Sequence, residues 1–274
     1  MAMAQLRILF LGDLVGSTGR AIFHKHIGRL REEYRVDAII VNGENSAHGR
    51  GITPAIMGFF KNHGVDVVTS GNHIWARQEI ISYFADHKDL LRPINFPQST
   101  PGSGLTTFLC KGYEIGVINV QGRVFMREYL SCPFRAMDSA LTFFKGKTSL
   151  IFVDVHAEAT SEKLGLAFYL DGRVSGVVGT HTHVQTADER ILPSGTAYIT
   201  DLGMAGSLNS MIGMKKEAII QNFITQMPTR FVVDTSMPVI MTGACITVDT
   251  DTGKALAIER IKVIDDAVAV DTDE

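Results

Sequence analysis

The chain has 274 residues, room for one large domain or two small ones. Apolar residues make up 45% of it and charged residues 20%, a balance that excludes a disordered chain or a coiled coil. Its 26 Lys and Arg against 29 Asp and Glu leave a formal net charge of −3, too even for polyanion binding by the whole surface but compatible with a local basic patch, and no apolar run approaches the roughly 18 residues that span a bilayer.

The apolar run Leu6–Leu11 reads as a buried strand, followed by a helical pattern from Arg20 to Tyr34 and a second strand at Ala38–Val41. Thr53-Pro54 opens another helix, with the threonine as N-cap and the proline at the first helical position. A third strand at Val65–Thr69 and a helix over Ile74–Phe84 complete a β-α-β-α-β-α pattern, that of a parallel sheet covered by helices. Gly104–Cys110 and Tyr113–Val120 flank Lys111-Gly112 as a hairpin. Next come a helix at Pro133–Phe144, a strand at Ser149–Asp154, a helix at Ser161–Leu170, and strands at Val174–Val178, Ala197–Asp201, Gly243–Val248 and Ala255–Ile261. Strands that begin parallel and end as hairpins predict a mixed sheet or two stacked sheets with outer helices, in a single domain over residues 1–274. Leu202–Met214, rich in glycine and methionine, reads either as a surface loop or as a lid over a site.

The start of the chain runs from Met1 straight into Leu6–Leu11 without the basic-then-apolar plan of a signal peptide. Cys110, Cys132 and Cys245 are far apart and form no C-x-x-C pair, which speaks against a disulfide framework or a zinc ribbon. A cytoplasmic location is the expectation.

Polar residues gather at the carboxyl ends of the predicted strands, where ligand sites of α/β sheets form. They are Asp13, then Asn42, Glu44 and Asn45, then Asn72 and His73, then His156, and finally His181 and His183. Singly each has a plain structural explanation, such as a helix cap for Asp13 or a satisfied core histidine for His156. The His181-Thr182-His183 spacing is more telling, because residues two apart face the same side of an extended backbone. Asp, Glu, Asn and His donors without cysteine suit manganese, iron or zinc, and their number exceeds what one ion takes. Two ions sharing a carboxylate fit the count, with Glu44 the natural bridge.

Five blocks carry a resemblance. Gly12-Asp13-Leu14-Val15-Gly16, Asn42-Gly43-Glu44-Asn45, Gly71-Asn72-His73, Val155-His156-Ala157 and Gly179-Thr180-His181-Thr182-His183 occur in this order. Together they resemble the calcineurin-like metallophosphoesterases, in particular the bacterial branch similar to the YmdB phosphodiesterase, over nearly the whole chain. The resemblance implies a four-layer αββα sandwich of two mixed sheets flanked by helices. It also implies a dinuclear centre with Asp13, Glu44, Asn45 and His183 on one ion and Glu44, Asn72, His156 and His181 on the other. Iron is favoured, in divalent or mixed-valence form, with manganese or zinc as alternatives. Two departures from the wider superfamily stand out. Its first block is usually Asp-x-His, whereas Leu14 and Val15 follow Asp13 here, and Glu44 replaces the usual bridging Asp. Asn45 in place of a histidine predicts unequal affinities for the two ions.

The implied chemistry is phosphodiester hydrolysis by a metal-bridged hydroxide, with cyclic nucleotides (2′,3′-cyclic or 3′,5′-cyclic) as expected substrates. His73 is expected beside the phosphate, assisting the leaving oxygen. His48 and Arg50 are candidate substrate contacts, and Phe125, Met126 and Tyr129 either line a base pocket or pack in the core. His24, His26, His63 and His87 read as surface residues. The alternatives are a phosphomonoesterase and a metal-dependent nucleotide-binding regulator without turnover. A dinucleotide-binding reading of Gly12, Gly16 and Gly19 fails on spacing, since it gives Gly-x-x-x-Gly-x-x-Gly. A homo-oligomer is compatible with the sequence, but no segment identifies an interface.

Overall fold

The computed structural model describes residues 4–270; residues 1–3, on which part of the signal-peptide expectation falls, and residues 271–274 lie outside the described residues. The elements are β1 (Gln5–Leu14), α1 (Gly16–Glu33), β2 (Ala38–Asn42), α2 (Pro54–Asn62), β3 (Val67–Thr69), α3 (Ile80–Tyr83), β4 (Leu105–Cys110), β5 (Tyr113–Gln121), α4 (Pro133–Phe144) and β6 (Ile151–His156). They continue with α5 (Thr160–Leu170), β7 (Gly176–Thr180), β8 (Arg190–Ile191), β9 (Ala197–Ile199), β10 (Met204–Ser207), α6 (Lys216–Thr225), β11 (Val239–Asp249) and β12 (Ala255–Asp265).

Two six-stranded sheets result, ordered β12-β11-β10-β1-β2-β3 and β4-β5-β6-β7-β9-β8. Their alternation explains the layers. On β1, Leu6, Ile8 and Phe10 point into the space between the sheets, with Phe10 5.6 Å from the Phe152 ring of the second sheet. Leu9 and Leu11 point the other way, into a core shared with Phe23 of α1 and Phe60 of α2. On the far side, Val153 and Val155 of β6 pack with Met137 and Phe144 of α4 and Leu166 and Leu170 of α5. Strands buried on both faces read as continuous apolar runs. Three apolar cores therefore separate four layers, the αββα sandwich. Among the described residues no helix is long and apolar enough to cross a membrane.

Two expectations are corrected, and two elements lie where none was predicted. Ile74–Phe84 is not one helix: a single 3₁₀ turn at Ile74–Ala76 precedes α3, because Arg77 between them takes an extended backbone with its side chain packed against Gly51. Met204–Ser207, read as the start of a flexible segment, is a buried strand paired with β1 and β11. A strand inside a sheet cannot swing, and the rest of the predicted segment beyond it, residues 208–214, is irregular. Finally, α6 and the two-residue β8 were not expected at all.

The detail that matters most for the site is at the end of β1. From Gln5 to Leu11 this strand pairs antiparallel with β11, but Asp13 and Leu14 pair with β10. Against β2 the register slips between Leu11 and Asp13, so Gly12 is a bulge residue. Strict alternation after Leu6, Ile8 and Phe10 would turn residue 13 toward the helices. The bulge instead aligns Asp13 with Asn42, on the inter-sheet face. Only glycine fits there, since a Cβ would stand 2.1 Å from the Gly203 carbonyl oxygen. Gly19 meets the Ala205 carbonyl similarly, at 2.5 Å. Gly12 in β1 and Gly19 in α1 thus admit β10 and the residue before it rather than a pyrophosphate.

Gly12→Ala is expected to lower stability by roughly 1–3 kcal/mol through overpacking against backbone. Gly28→Ala, on α1 with no atom within 4 Å of the added methyl, is expected to raise it by about 0.5–1 kcal/mol. Urea unfolding of the two variants beside the parent checks both signs.

Candidate metal centre

The space between the sheets changes character toward the carboxyl ends of the strands. Along β6 the inward residues run Phe152, Asp154, His156; along β2, Ala38, Ile40, Asn42; along β7, Val178, Thr180. All are buried. Buried polar groups must find partners, and here they find each other. Asp154 accepts hydrogen bonds from Asn42 Nδ2 (3.2 Å), Thr180 Oγ1 (2.7 Å) and the Thr69 hydroxyl. Burial still pushes its carboxyl up to about 6.

Above this layer the expected site residues form two adjoining groups. In one, Asn45 Nδ2 lies 3.1 Å from both Asp13 Oδ1 and His183 Nε2, and that ring nitrogen is 3.5 Å from Asp13 Oδ1. In the other, His156 Nε2 is approached by Asn72 Oδ1 at 3.0 Å, Glu44 Oε1 at 3.1 Å and His181 Nδ1 at 3.0 Å. One ring nitrogen carries at most one proton, so it cannot satisfy three such neighbours. Gly71 makes the convergence possible, because a Cβ there would lie 2.0 Å from the His156 ring. His73 stands between the groups: its backbone N–H donates to Glu44 Oε2 at 2.9 Å and its Nδ1 is 2.7 Å from Asn45 Oδ1.

Three observations fit this donor set to cations. Glu44 Oε1 is fully buried and has no hydrogen-bond partner among the described residues. Ligand atoms of Glu44, His156 and His181 lie within 4.8 Å of one another. Each histidine also has its outward nitrogen engaged, as metal-binding imidazoles require. His156 Nδ1 meets Thr180 Oγ1 at 2.9 Å, His181 Nε2 meets Glu158 Oε2 at 3.2 Å, and His183 Nδ1 meets the Ile212 carbonyl at 2.9 Å.

The electrostatics agree. Burial acts to raise Asp13 and Glu44, but His183 beside the first and His156 beside the second outweigh it and hold both carboxyls below the usual range. Burial acts to lower His156, yet Glu44 and Asp13 lift it to about 9. His181, lacking such a close carboxylate at Nδ1, is pushed down to about 3 by burial and by His156. The carboxylates therefore stay ionised although buried, a field that attracts positive charge.

His181 and His183 are presented differently from expectation. Neither is on an extended strand: β7 ends at Thr180, and both take positive φ, 101° and 65°. A tight turn, not strand alternation, sends one ring to each group. His48 and Arg50 are exposed on the loop beyond Asn45, although Arg50 lies near enough to contribute to lowering the His73 pKa after burial and the stronger influence of its neighbours. Phe125 and Tyr129 are exposed at 85% and 102%, which corrects the core alternative for both. His24 and His63 contact each other, His26 meets Asp265 and His87 stacks on Tyr83, all away from the site. Sequence reasoning passed over Asp154, Thr180 and Glu158. Asp154 lies two residues before His156, so period-two alternation already put it on the same face; the roles of Thr180 and Glu158 have no such signature.

The comparisons with known proteins point one way. The profile of the YmdB-like protein family matches residues 9–261. A Bacillus subtilis (strain 168) protein named 2′,3′-cyclic-nucleotide 2′-phosphodiesterase is 48% identical over 95% of this chain and 98% of its own length. Among solved structures, a Mycoplasma pneumoniae protein described as a novel phosphatase superposes with a TM-score of 0.90 at 35% identity, covering 96% of this chain and 95% of that one. A hypothetical protein from Thermus thermophilus gives a TM-score of 0.88 at 37% identity, over 95% of this chain and 100% of that one. On a match that spans nearly the whole chain, the protein belongs to the YmdB-like family.

Proposed function

We propose that this chain is a metal-dependent phosphodiesterase that hydrolyses cyclic nucleotides, 2′,3′-cyclic ones first among them. The observation that carries the reading is the buried Glu44 Oε1, which accepts no well-formed hydrogen bond and has His156 Nε2 at 3.1 Å and His181 close by. The 48%-identical phosphodiesterase supports it. Asp13, Asn45 and His183 would hold one cation, Asn72, His156 and His181 the other, with Glu44 between them. Iron, manganese and zinc all suit this sulfur-free set of oxygen and nitrogen donors, and iron is the first expectation by the family resemblance. When bound, such ions acidify water and draw charge from phosphoryl oxygens.

The chain's own residues supply the rest. For its oxygen to ligate, the Asn45 amide turns over, because Nδ2 now faces Asp13 and His183. The turned amide donates from Nδ2 to His73 Nδ1 and so leaves the His73 proton on Nε2. That proton is then aimed outward, where it can reach the leaving oxygen. His48 and Arg50 would meet the phosphate or base from the rim, with residues 208–214 as the covering segment over His183. Residues 1–274 would form one metallophosphoesterase domain, and the three free cysteines suit the reducing cytoplasm. A phosphomonoesterase is the second reading, since the Mycoplasma pneumoniae structure is described as a phosphatase.

Incubation with 2′,3′-cyclic AMP and manganese, followed by chromatography, is expected to yield a nucleoside monophosphate; adenosine and inorganic phosphate from AMP alone would favour the second reading, and binding without product a regulator. His73→Ala is expected to keep its metal, by elemental mass spectrometry, while kcat falls about 10²–10⁴-fold. Glu44→Ala is expected to lose both ions, taking metal from about two per chain toward none.

A further inference from the structure

Lys163 is a lysine with no exposed surface, on the second turn of α5. Lysine is almost never fully buried unless paired. Its Nζ donates to Asp201 Oδ2 at 2.7 Å, and both side chains are 0% exposed. The stem crosses Gly179 of β7, where a Cβ would stand 2.9 Å from Lys163 Cδ. No helical pattern would single out this residue.

The partner is what gives the pair a purpose. Asp201 Oδ2 also accepts the backbone N–H of Thr182 at 3.1 Å, the residue between His181 and His183. Its Oδ1 accepts the N–H of Gly203 at 2.8 Å, and the Gly203 carbonyl accepts the N–H of Asp13 at 3.1 Å. One carboxylate thus fixes the histidine turn of the second sheet and the Asp13 end of the first. The turn needs fixing, because a positive φ at two non-glycine residues is an unfavourable backbone that only its surroundings maintain.

We propose that the buried Lys163–Asp201 pair is a positioning device that holds the His181–His183 turn and Asp13 in metal-ready geometry across the two sheets. Lys163 makes no hydrogen bond to a candidate ligand; it acts by holding the Asp201 carboxylate in place, so that both acceptor oxygens stay aimed at Thr182 and Gly203. The inference rests on the two-cation reading of the site.

The test is manganese affinity, measured on the full chain by competition with a fluorescent chelator, beside thermal unfolding of the chelator-treated protein. Lys163→Met is expected to weaken manganese binding about 10–100-fold, the usual cost of losing an outer-layer support. Lys163→Met combined with Asp201→Asn leaves no unpaired buried charge and carries the test if the single variant does not fold; it too is expected to bind at least about 10-fold more weakly. Leu166→Ala, buried on the same helix away from the site, controls for general loosening and is expected to lower the Tm while binding manganese like the parent. Parent-like affinity in the double variant, or equal weakening in Leu166→Ala, overturns the inference. A parent chain that takes up no manganese overturns the metal reading itself and this inference with it; a loaded parent beside equally loaded variants overturns only the inference.

Discussion

Buried negative charge at one end of a protein interior is the constraint around which this molecule is organised. Asp13, Glu44 and Asp154 are all withdrawn from water between the sheets. Desolvating a carboxylate is expensive unless a counter-charge and hydrogen bonds accompany it. Asp154 meets that demand with an amide and two hydroxyls and is pushed toward neutrality. Asp13 and Glu44 do not follow it, since the histidines opposite keep them ionised. Cations among these donors would complete the neutralisation, and the same residues would then serve stability and chemistry.

Several otherwise separate features follow from that demand. The Gly12 bulge turns Asp13 inward, Gly71 lets the His156 ring lie against backbone, and Gly179 clears the path of Lys163. Each glycine sits where side chain or backbone from elsewhere must approach closely. The outer nitrogens of the three histidines end on Thr180, Glu158 and the Ile212 carbonyl, so every ring is held from behind. The strained turn at His181–His183 is tolerable because Asp201 grips its middle residue.

Much of this was legible in the sequence, for a physical reason. Strands buried on both faces leave their polar residues only at the ends, so Asp13, Asn42, His156 and the residues after β7 stand out against apolar runs. The five strand ends could be read this way and the Thr53 cap, whose hydroxyl accepts from Ile56 N–H, from its place before Pro54, whereas periodicity left a mixed sheet or two stacked sheets open and the four-layer order came from the resemblance. What could not be read depends on contacts distant in sequence. Gly12 carries no mark of a bulge until β10 arrives beside it. Met204–Ser207 looks like a loop because two small residues and a glycine accompany its methionine, yet the gap between β1 and β11 makes it a strand. The helical run after His73 breaks at Arg77 only because that side chain is drawn under Gly51. Lys163 looks like any surface lysine until its helix is laid against β7 and Asp201.

The central claim is that the two groups of donors are two halves of one metal centre joined by Glu44. Anomalous X-ray diffraction from crystals grown with manganese, recorded on both sides of the metal edge, tests it most directly. Two anomalous peaks are expected, one among Asp13, Asn45 and His183 and one among Asn72, His156 and His181, with the Glu44 carboxylate between them. A single peak, peaks elsewhere on the chain, or Glu44 turned away from both would contradict it.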